Sequence, residues 1–345
     1  MRHGQGTRLG ANHLIASGEW ESNHLHGRGK IVFGSAGSYE GQMKAGLAHG
    51  EGVWIGGDGT RYQGQFEDGF KQGQGRIVFP NRATYEGEFQ RGEINGHGVY
   101  TRGDGAFYIG SFLDRKQNGH GELTFPDGAR YVGEFLNSFR HGTGVARNAD
   151  GSVYEGHFVK DRKEGSGKLI CADGSTYTGE FFLGKRHGRG VYSSADGTVY
   201  SGEWQRDQRD GEGVLTSPLS GVTYEGAFKG GYLHGAGRET QHGEVLFEGK
   251  YDMGMRVTAA GLEPARVSTD LESLLEDTSG NIMDTSPMSM DDQLSAICTF
   301  ETHFQPEEVV PASLHTTGGG GGGGGGAGGN KIRTAQRKNG SQPRR

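Results

Sequence analysis

The chain has 345 residues, 68 of them glycine, and only 32% are hydrophobic, which argues against a large close-packed globular core. Its formal net charge of −6 excludes a strongly basic nucleic-acid binder, because phosphate affinity needs a surplus of Lys and Arg along one face. Two cysteines, Cys171 and Cys298, are too few for a disulfide framework. The chain lacks both an apolar run of about 18 residues and a secretory signal, so we expect a cytoplasmic protein, or one at the periphery of a membrane or the cytoskeleton.

The chain begins partway through a repeated unit. The signature His3-Gly4-Gln5-Gly6 has no first strand before it, whereas the next unit opens with Ala16-Ser17-Gly18-Glu19-Trp20. Two interpretations stay open: coding sequence lies upstream, or the N-terminal edge strand is bare. The last repeat ends near Tyr251 without an evident cap. Because unpaired sheet edges promote association, we expect a homodimer formed through one end of the array.

The repeated unit contains two predicted strands. The first strand carries the pattern aromatic-x-Gly-x-aromatic, and the second carries x-Gly-x-Gly at a fixed offset. The leading aromatic residue recurs every 23 residues, with one step of 24 residues at the turn Ser217–Gly221. Residues 1–256 are therefore predicted to form one array of about eleven repeats. After Ala16, the leading residues are Tyr39, Tyr62, Tyr85, Tyr108, Tyr131, Tyr154, Tyr177, Tyr200, Tyr224 and Phe247.

Strand geometry sorts these residues onto two faces. Side chains alternate along a strand, so the aromatic residues and glycine of Tyr85-Glu86-Gly87-Glu88-Phe89 share one face, here called the ring face. The two glutamates lie on the other, here called the polar face. Each glycine leaves a slot that neighbouring rings can cover. Asp-Gly pairs predict tight hairpin turns between repeats, and they begin at Asp58, Asp104, Asp127, Asp150, Asp173 and Asp196.

The repeated unit resembles the MORN repeat (membrane occupation and recognition nexus). Its pattern at 23-residue spacing is Tyr-x-Gly-x-Phe, followed by His-Gly-x-Gly and then by Asp-Gly-x-x-Tyr. The resemblance covers about residues 3–256 and implies an all-β fold, an elongated single-layer antiparallel β-meander. It also implies settings such as membrane junctions, ciliary radial spokes, lipid kinases, a lysine methyltransferase and cytoskeletal scaffolds, and no single activity. The histidine of this pattern is replaced in five copies, by Gln72, Asn95, Asn118, Glu164 and Asp210.

No catalytic, cofactor or metal site is predicted. Histidines that recur once per repeat are expected to lie about 9 to 10 Å apart, which is too far for two of them to bind one metal ion. The glutamates of the polar face are predicted to be solvated strand residues. The rings are predicted to pack as core and, where uncovered, to bind a partner. This candidate aromatic face comprises Tyr62, Phe66, Tyr85, Phe89, Tyr131, Phe135, Tyr154, Phe158, Tyr177, Phe181, Tyr200 and Trp204.

Beyond residue 256 the composition changes. Residues 257–317 are predicted to be an acidic disordered tail, since Leu262 to Pro311 holds eleven acidic residues and one base. Within it, leucines at i, i+3 and i+4 allow a short helix over 270–277 on a partner, with a solvated acidic stretch as the alternative. A poly-Gly linker follows at 318–329. The basic arm 330–345 is a candidate contact for acidic lipid or an acidic partner through Lys331, Arg333, Arg337 and Lys338.

These features predict a non-enzymatic scaffold that binds protein partners along an extended β-surface in a cytoskeletal, ciliary or membrane-cortex assembly. The alternative is a peripheral module that binds acidic phospholipids. The repeat array is nearly neutral, whereas lipid headgroups attract clustered cations, so the scaffold is the favoured hypothesis.

Overall fold

The computed structural model describes residues 1–267, in which successive strands pair antiparallel into one open sheet, with a 3-10 turn at Gly34–Ala36. The predicted all-β meander is confirmed. The strands are β1 Gly4–Leu9, β2 Leu14–Glu21, β3 His24–Phe33, β4 Gly37–Lys44, β5 Leu47–Gly56, β6 Arg61–Glu67, β7 Phe70–Val78, β8 Thr84–Gln90, β9 Glu93–Thr101, β10 Phe107–Leu113, β11 Lys116–Thr124, β12 Arg130–Leu136, β13 Phe139–Arg147, β14 Val153–Val159, β15 Arg162–Ile170, β16 Thr176–Phe182, β17 Lys185–Ser193, β18 Val199–Gln205, β19 Gln208–Ser217, β20 Val222–Lys229, β21 Tyr232–Gln241, β22 Glu244–Asp252, β23 Met255–Thr258 and β24 Gly261–Pro264.

Two kinds of turn alternate along the sheet. Between repeats, the Gly174 N–H donates to the Cys171 carbonyl (3.0 Å), and the Ser175 N–H donates to the Asp173 carboxylate (2.8 Å). In these Asp-Gly turns only the glycine has a positive φ. The aspartate contributes through its side chain, which accepts the hydrogen bond of the N–H two residues later. Within repeats, tight two-residue turns such as Lys160-Asp161 have positive φ at both residues (48° and 68°). The sequence interpretation did not include these turns.

The core of the sheet is a continuous ladder of aromatic rings. Each leading tyrosine from Tyr62 to Tyr224 packs edge-to-face against the closing aromatic residue of its own repeat and of the next repeat. Tyr39, whose repeat closes with Met43, packs against Phe66 of the next repeat. Ring centroids lie 4.9–5.3 Å apart, at interplanar angles of 78–89°. Edge-to-face pairs gain about 0.5–1.5 kcal/mol beyond the area they bury, so the ladder couples each repeat to its neighbours. It runs from Tyr39 and Phe66 to Tyr251 and Phe247.

The glycine slots are confirmed, and the ring that covers each slot is the leading tyrosine of the same repeat. A Cβ atom added to Gly144 would lie 2.4 Å from the Tyr131 hydroxyl and 2.5–2.6 Å from its ring carbons. The hydroxyl donates to the Glu134 carbonyl (3.0 Å), and the same bond recurs in nine repeats, so each buried tyrosine hydroxyl is satisfied. Burial raises the pKa of Tyr39 to about 12.

A β-bulge lies opposite the central glycine of most repeats and changes the interpretation of one glutamate position. In β12, pairing shifts between Gly133 and Phe135, and Gly142 on the facing strand has a φ of 60°. The N–H and hydroxyl of Thr143 donate to the Glu134 carboxylate (2.9 and 2.7 Å). These bonds hold the pKa of Glu134 below its ordinary value. Glutamates at this position therefore accept hydrogen bonds at the bulge as well as facing solvent, a role that the sequence interpretation did not include.

The C-terminal end of the sheet also differs from expectation. The array was predicted to stop at residue 256 and to end near Tyr251 without a cap, yet β23 and β24 extend the sheet to Pro264. Arg256 forms an ion pair with the fully buried Glu239, and the Val267 N–H donates to that carboxylate (3.0 Å). Val267 is itself buried. This end is closed by a short hairpin and a buried ion pair.

Candidate partner-binding surfaces

The candidate aromatic face is core and cannot serve as an open platform. All twelve of its rings are buried, because the tyrosine rings lie over glycines and every ring packs against its neighbours in the ladder. The prediction that uncovered rings on this face bind a partner is therefore corrected. A partner has to use other residues of the array.

A row of basic side chains packs on the ring ladder, nine residues after the leading tyrosine. In four consecutive repeats this residue is Arg140, Lys163, Arg186 and Arg209, and each cation lies over aromatic rings. The Cζ atom of Arg186 lies 4.5 Å from the Trp204 ring centroid. Such cation–π contacts stabilise a desolvated charge by about 2 kcal/mol. Sequence analysis missed this row, although its signal is a Lys or Arg two residues before Gly-x-Gly.

Every second one of these cations has an aspartate partner. The Nε atoms of Arg140 and Arg186 lie 3.1 and 3.4 Å from Asp161 and Asp207 at the hairpin turn of the following repeat. Lys163 has glycine at the equivalent turn and, within residues 1–267, forms no ion pair. Burial lowers the pKa of Lys163 to about 8. These cations join repeats from within, so they do not present charge to a ligand.

In several repeats, the side chain at the position of the repeated histidine accepts a hydrogen bond from the hairpin turn of the following repeat. Glu164 accepts a hydrogen bond from the Leu183 N–H (3.1 Å), and Asn95 accepts one from the Asp114 N–H (3.0 Å). Residues that replace histidine therefore fit a structural role, because each carries a side-chain acceptor. In the part of the chain that the structure describes, no three His, Cys, Asp or Glu side chains converge as metal ligands would.

The polar face holds two open grooves floored by the glycine rows. The larger, about 1050 Å³, lies across β1–β6, and the smaller, about 520 Å³, lies across β16–β20. Both signs of charge line them. Lys30 and Glu40 form an ion pair in the first (2.9 Å), and Arg189 and Glu212 line the second. Neither groove has the clustered positive charge that would attract an acidic surface.

An exposed apolar row lies at the hairpin ends of four consecutive repeats. The residue after the closing aromatic is Leu113, Leu136, Val159 and Phe182, with 54%, 43%, 43% and 51% of its surface exposed. We call these four residues the hairpin-end ridge. The same position is glutamine in the repeats on either side. Exposed apolar residues that recur at one position of consecutive repeats are candidates for a protein interaction site. The signal is visible in sequence, but only once the strand faces are known.

Several predictions fall outside the residues that the structure describes. They are the short helix over 270–277, the poly-Gly linker, and the basic arm with Lys331, Arg333, Arg337 and Lys338. Among residues 1–267, no helix has the length and apolar character needed to span a bilayer.

The serial hairpins, glycine slots and ring ladder define a β-repeat protein of the open meander type. Eleven segments match the family model of the MORN repeat, and the chain belongs to the MORN repeat family. The matched segments are residues 1–14, 17–37, 39–61, 62–84, 85–107, 108–130, 131–153, 154–176, 177–199, 200–218 and 224–241.

Comparison with known proteins adds little beyond the family. No curated protein matches the chain significantly in sequence. Among solved structures, the TCP10 domain of Danio rerio CPAP with a peptide of STIL is 13% identical, covers 72% of this chain and 99% of its own, and has a TM-score of 0.27. The TCP domain of Drosophila melanogaster SAS-4 with a proline-rich motif of Ana2 is 16% identical, covers 49% and 79%, and has a TM-score of 0.23. Scores this low support no conclusion about fold or function.

Proposed function

We propose that this chain is a non-enzymatic scaffold that binds protein partners through the hairpin-end ridge. The observation that carries the proposal is the exposure of Leu113, Leu136, Val159 and Phe182 in four consecutive repeats. Antiparallel strands lie about 4.8 Å apart, so these side chains form a row with a spacing of about 10 Å. A row of this kind fits an elongated partner segment better than a small molecule, which needs an enclosed pocket.

The carboxylates of the polar face support a structural scaffold. Catalytic carboxylates need burial or a partnered cleft to shift their pKa. Here Glu40 is paired with Lys30, and Glu134 and Glu180 accept backbone N–H groups at bulges. These glutamates are thus engaged in holding strands and bulges together.

The proposed setting is a cytoplasmic assembly at the cytoskeleton, the cilium or the membrane cortex. Support comes from the family resemblance and from the repeat architecture, which provides a long surface in which each unit contacts only its neighbours. The alternative remains a module for acidic phospholipids. It rests on the sequence of the basic arm, and its test is described in the Discussion.

Proximity labelling in cells tests the proposed function. The full chain carries a labelling enzyme and is compared with the triple variant Leu136→Ser, Val159→Ser, Phe182→Ser. We expect the variant to lose a defined group of labelled neighbours, because full burial of an exposed apolar side chain is worth about 1.5–3 kcal/mol and these half-exposed side chains each gain roughly half of that.

The matched control removes exposed apolar residues elsewhere on the sheet, through Ile15→Ser, Ile55→Ser and Val245→Ser. These side chains are 39–49% exposed, close to the exposure of the ridge residues. The control should keep the neighbours that the ridge variant loses. Identical neighbour sets for the wild-type chain and the ridge variant would contradict the proposal.

A further inference from the structure

The chemistry of the hairpin-end ridge extends to the residues paired with it. Across each hairpin, the ridge residue pairs with the residue that follows the two-residue turn. None of the eight paired positions is acidic, although the chain as a whole has a net charge of −6. The cross-strand partners of the four ridge residues are Lys116, Phe139, Arg162 and Lys185. The surface thus combines the apolar row and Phe139 with three basic residues, of which Lys185 also lies 3.6 Å from the Asp207 carboxylate.

One stretch of the same chain has the complementary chemistry. Residues 291–301 read Asp-Asp-Gln-Leu-Ser-Ala-Ile-Cys-Thr-Phe-Glu, with apolar side chains at Leu294, Ile297 and Phe300. The stretch has three acidic residues and no basic one. It lies outside the residues that the structure describes. We infer that residues 291–301 dock on the hairpin-end ridge of their own chain and occupy the surface proposed for partners.

The length of the connecting chain favours this segment over the predicted helix at 270–277. Val267 is hydrogen-bonded to Glu239 of β21, which is four strand spacings from β17 at the near end of the ridge, about 19 Å at about 4.8 Å each. The hairpin end of β21 at Tyr232 lies a further seven residues, about 23 Å, along the strand, so the whole span is about 30 Å. From Val267 to Leu271 there are four residues, which reach at most about 14 Å. From Val267 to Leu294 there are 27 residues, and random-coil statistics give a tether of that length a root-mean-square span of about 29 Å. Effective concentration is greatest when the tether length matches the span.

The inference rests on the proposed function, because it treats the ridge as the partner site, and it adds regulation of that site. A docked segment competes with a partner, so a partner binds more tightly once the segment is released. Because part of the attraction is between exposed charges, higher ionic strength weakens docking.

Disulfide trapping tests the inference, since Cys298 already lies within the segment. The background is the full chain with Cys171→Ser; the next repeat has serine, Ser194, at the equivalent position. Leu183→Cys places a thiol beside the ridge, and Met253→Cys is the matched control. Both are first residues of hairpin turns, with φ values of 52° and 47° and exposures of 54% and 56%.

Met253 lies closer than Leu183 to the start of the tail. If the tail only acted as a tether, Cys298 would therefore form a disulfide faster with the Met253→Cys control. We expect the Leu183→Cys chain to form its intrachain disulfide with Cys298 about tenfold faster than the Met253→Cys chain under mild oxidation. Adding Leu294→Ser, Ile297→Ser and Phe300→Ser should remove that advantage. Equal or faster trapping in the control, or no effect of the serine substitutions, would overturn the inference.

Trapping only between two chains would also overturn it, because the occupant would then be a second copy. The trapping rate requires no external partner, whereas the labelling experiment does. A failure of docking is therefore distinguishable from a failure of the proposed function.

Discussion

The guanidinium of Arg140 is joined to Asp161, which lies at the hairpin turn of the following repeat. The Nε atom lies 3.1 Å from Oδ1, and that oxygen also accepts the Arg140 backbone N–H (2.9 Å). Both side chains are largely buried. The pair therefore links neighbouring repeats through a desolvated charge, and it repeats two units later as Arg186 with Asp207.

Removal of the acidic partner should destabilise this part of the array. Asp161→Ala leaves the Arg140 cation buried without its counter-ion, and we expect a loss of about 3 kcal/mol in the free energy of unfolding. The loss should stay within the adjoining repeats, because stability in such arrays is a sum of neighbour terms. Hydrogen exchange across β13–β16 measures it. Glu86→Ala, which breaks an exposed pair with Arg76, is the control and should change stability by less than about 1 kcal/mol.

The glycine slots predict a second contrast. Gly144→Ala would place a Cβ atom within 2.6 Å of the Tyr131 ring, so the ring has to move and the ladder loses contacts. We expect a cost of about 1–3 kcal/mol. Gly128→Ala makes the same chemical change, but its added Cβ atom has no other atom within 4 Å. Its cost arises only from the positive φ of 88°, and we expect about 1 kcal/mol. Urea unfolding that ranks the two variants in the opposite order would show that ring cover is not what requires glycine.

Two glutamates of the polar face should behave differently. Glu134→Ala removes the acceptor of two Thr143 hydrogen bonds at the bulge, and we expect a loss of about 1 kcal/mol. Glu155→Ala changes an exposed strand residue and should have almost no effect. Because the folded pKa of Glu134 is lowered, its contribution is present above the unfolded pKa and is lost as pH falls through the folded pKa. Unfolding measured at pH 7 and pH 3 checks this, and a pH-independent difference would contradict it.

The sequence was sufficient for the repeat, the faces and the all-β meander because each depends on short-range rules. Period-two alternation places Tyr85, Gly87 and Phe89 on one face, and an Asp-Gly pair marks six of the turns between repeats. The bulge at Glu134 was not predictable from alternation, since it arises from the pairing: two residue steps on β12, from Gly133 to Phe135, face four steps on β13. Its position becomes visible only from the strand register.

The binding surface was predicted less well than the fold, for a related reason. The rings were predicted to pack as core and to bind a partner where uncovered, but the leading tyrosines from Tyr39 to Tyr224 lie over glycines of their own repeats and are buried. The cations of Arg140 and Lys163 complete that cover from above. Exposure then falls on residues such as Val159 and Phe182 at the hairpin ends, which the sequence interpretation did not single out.

The lipid alternative makes its own prediction. If the chain binds acidic vesicles, binding should depend on the basic arm, because each basic residue near such a surface contributes about 1 kcal/mol. Deletion of residues 330–345 should then abolish co-sedimentation with phosphatidylserine vesicles. Deletion of the glycines 318–326 serves as the control, since it shortens the tail without changing charge. Undiminished binding without the arm would show that the array itself recognises lipid.

The last prediction concerns Lys163, whose ammonium packs against Tyr154 and Phe181 without an ion pair among the described residues. Its pKa is about 8 in the folded chain, against an ordinary 10.5, and burial is the main cause. Between these pH values the unfolded state binds more protons, so stability rises with pH through this window. Below pH 8 the folded state carries the full cost of a buried charge.

Lys163→Met keeps an unbranched apolar stem over the rings and removes that cost. We expect it to stabilise the chain at pH 7 by on the order of 2 kcal/mol, and the gain should disappear by about pH 10.5. Urea unfolding of both chains at pH 7, 9 and 10.5 gives the difference, in which the titration of other groups cancels. Lys168→Met, on the exposed side of the same strand, should show no such pH dependence. A gain that stays constant with pH would mean that Lys163 is not held as a desolvated cation.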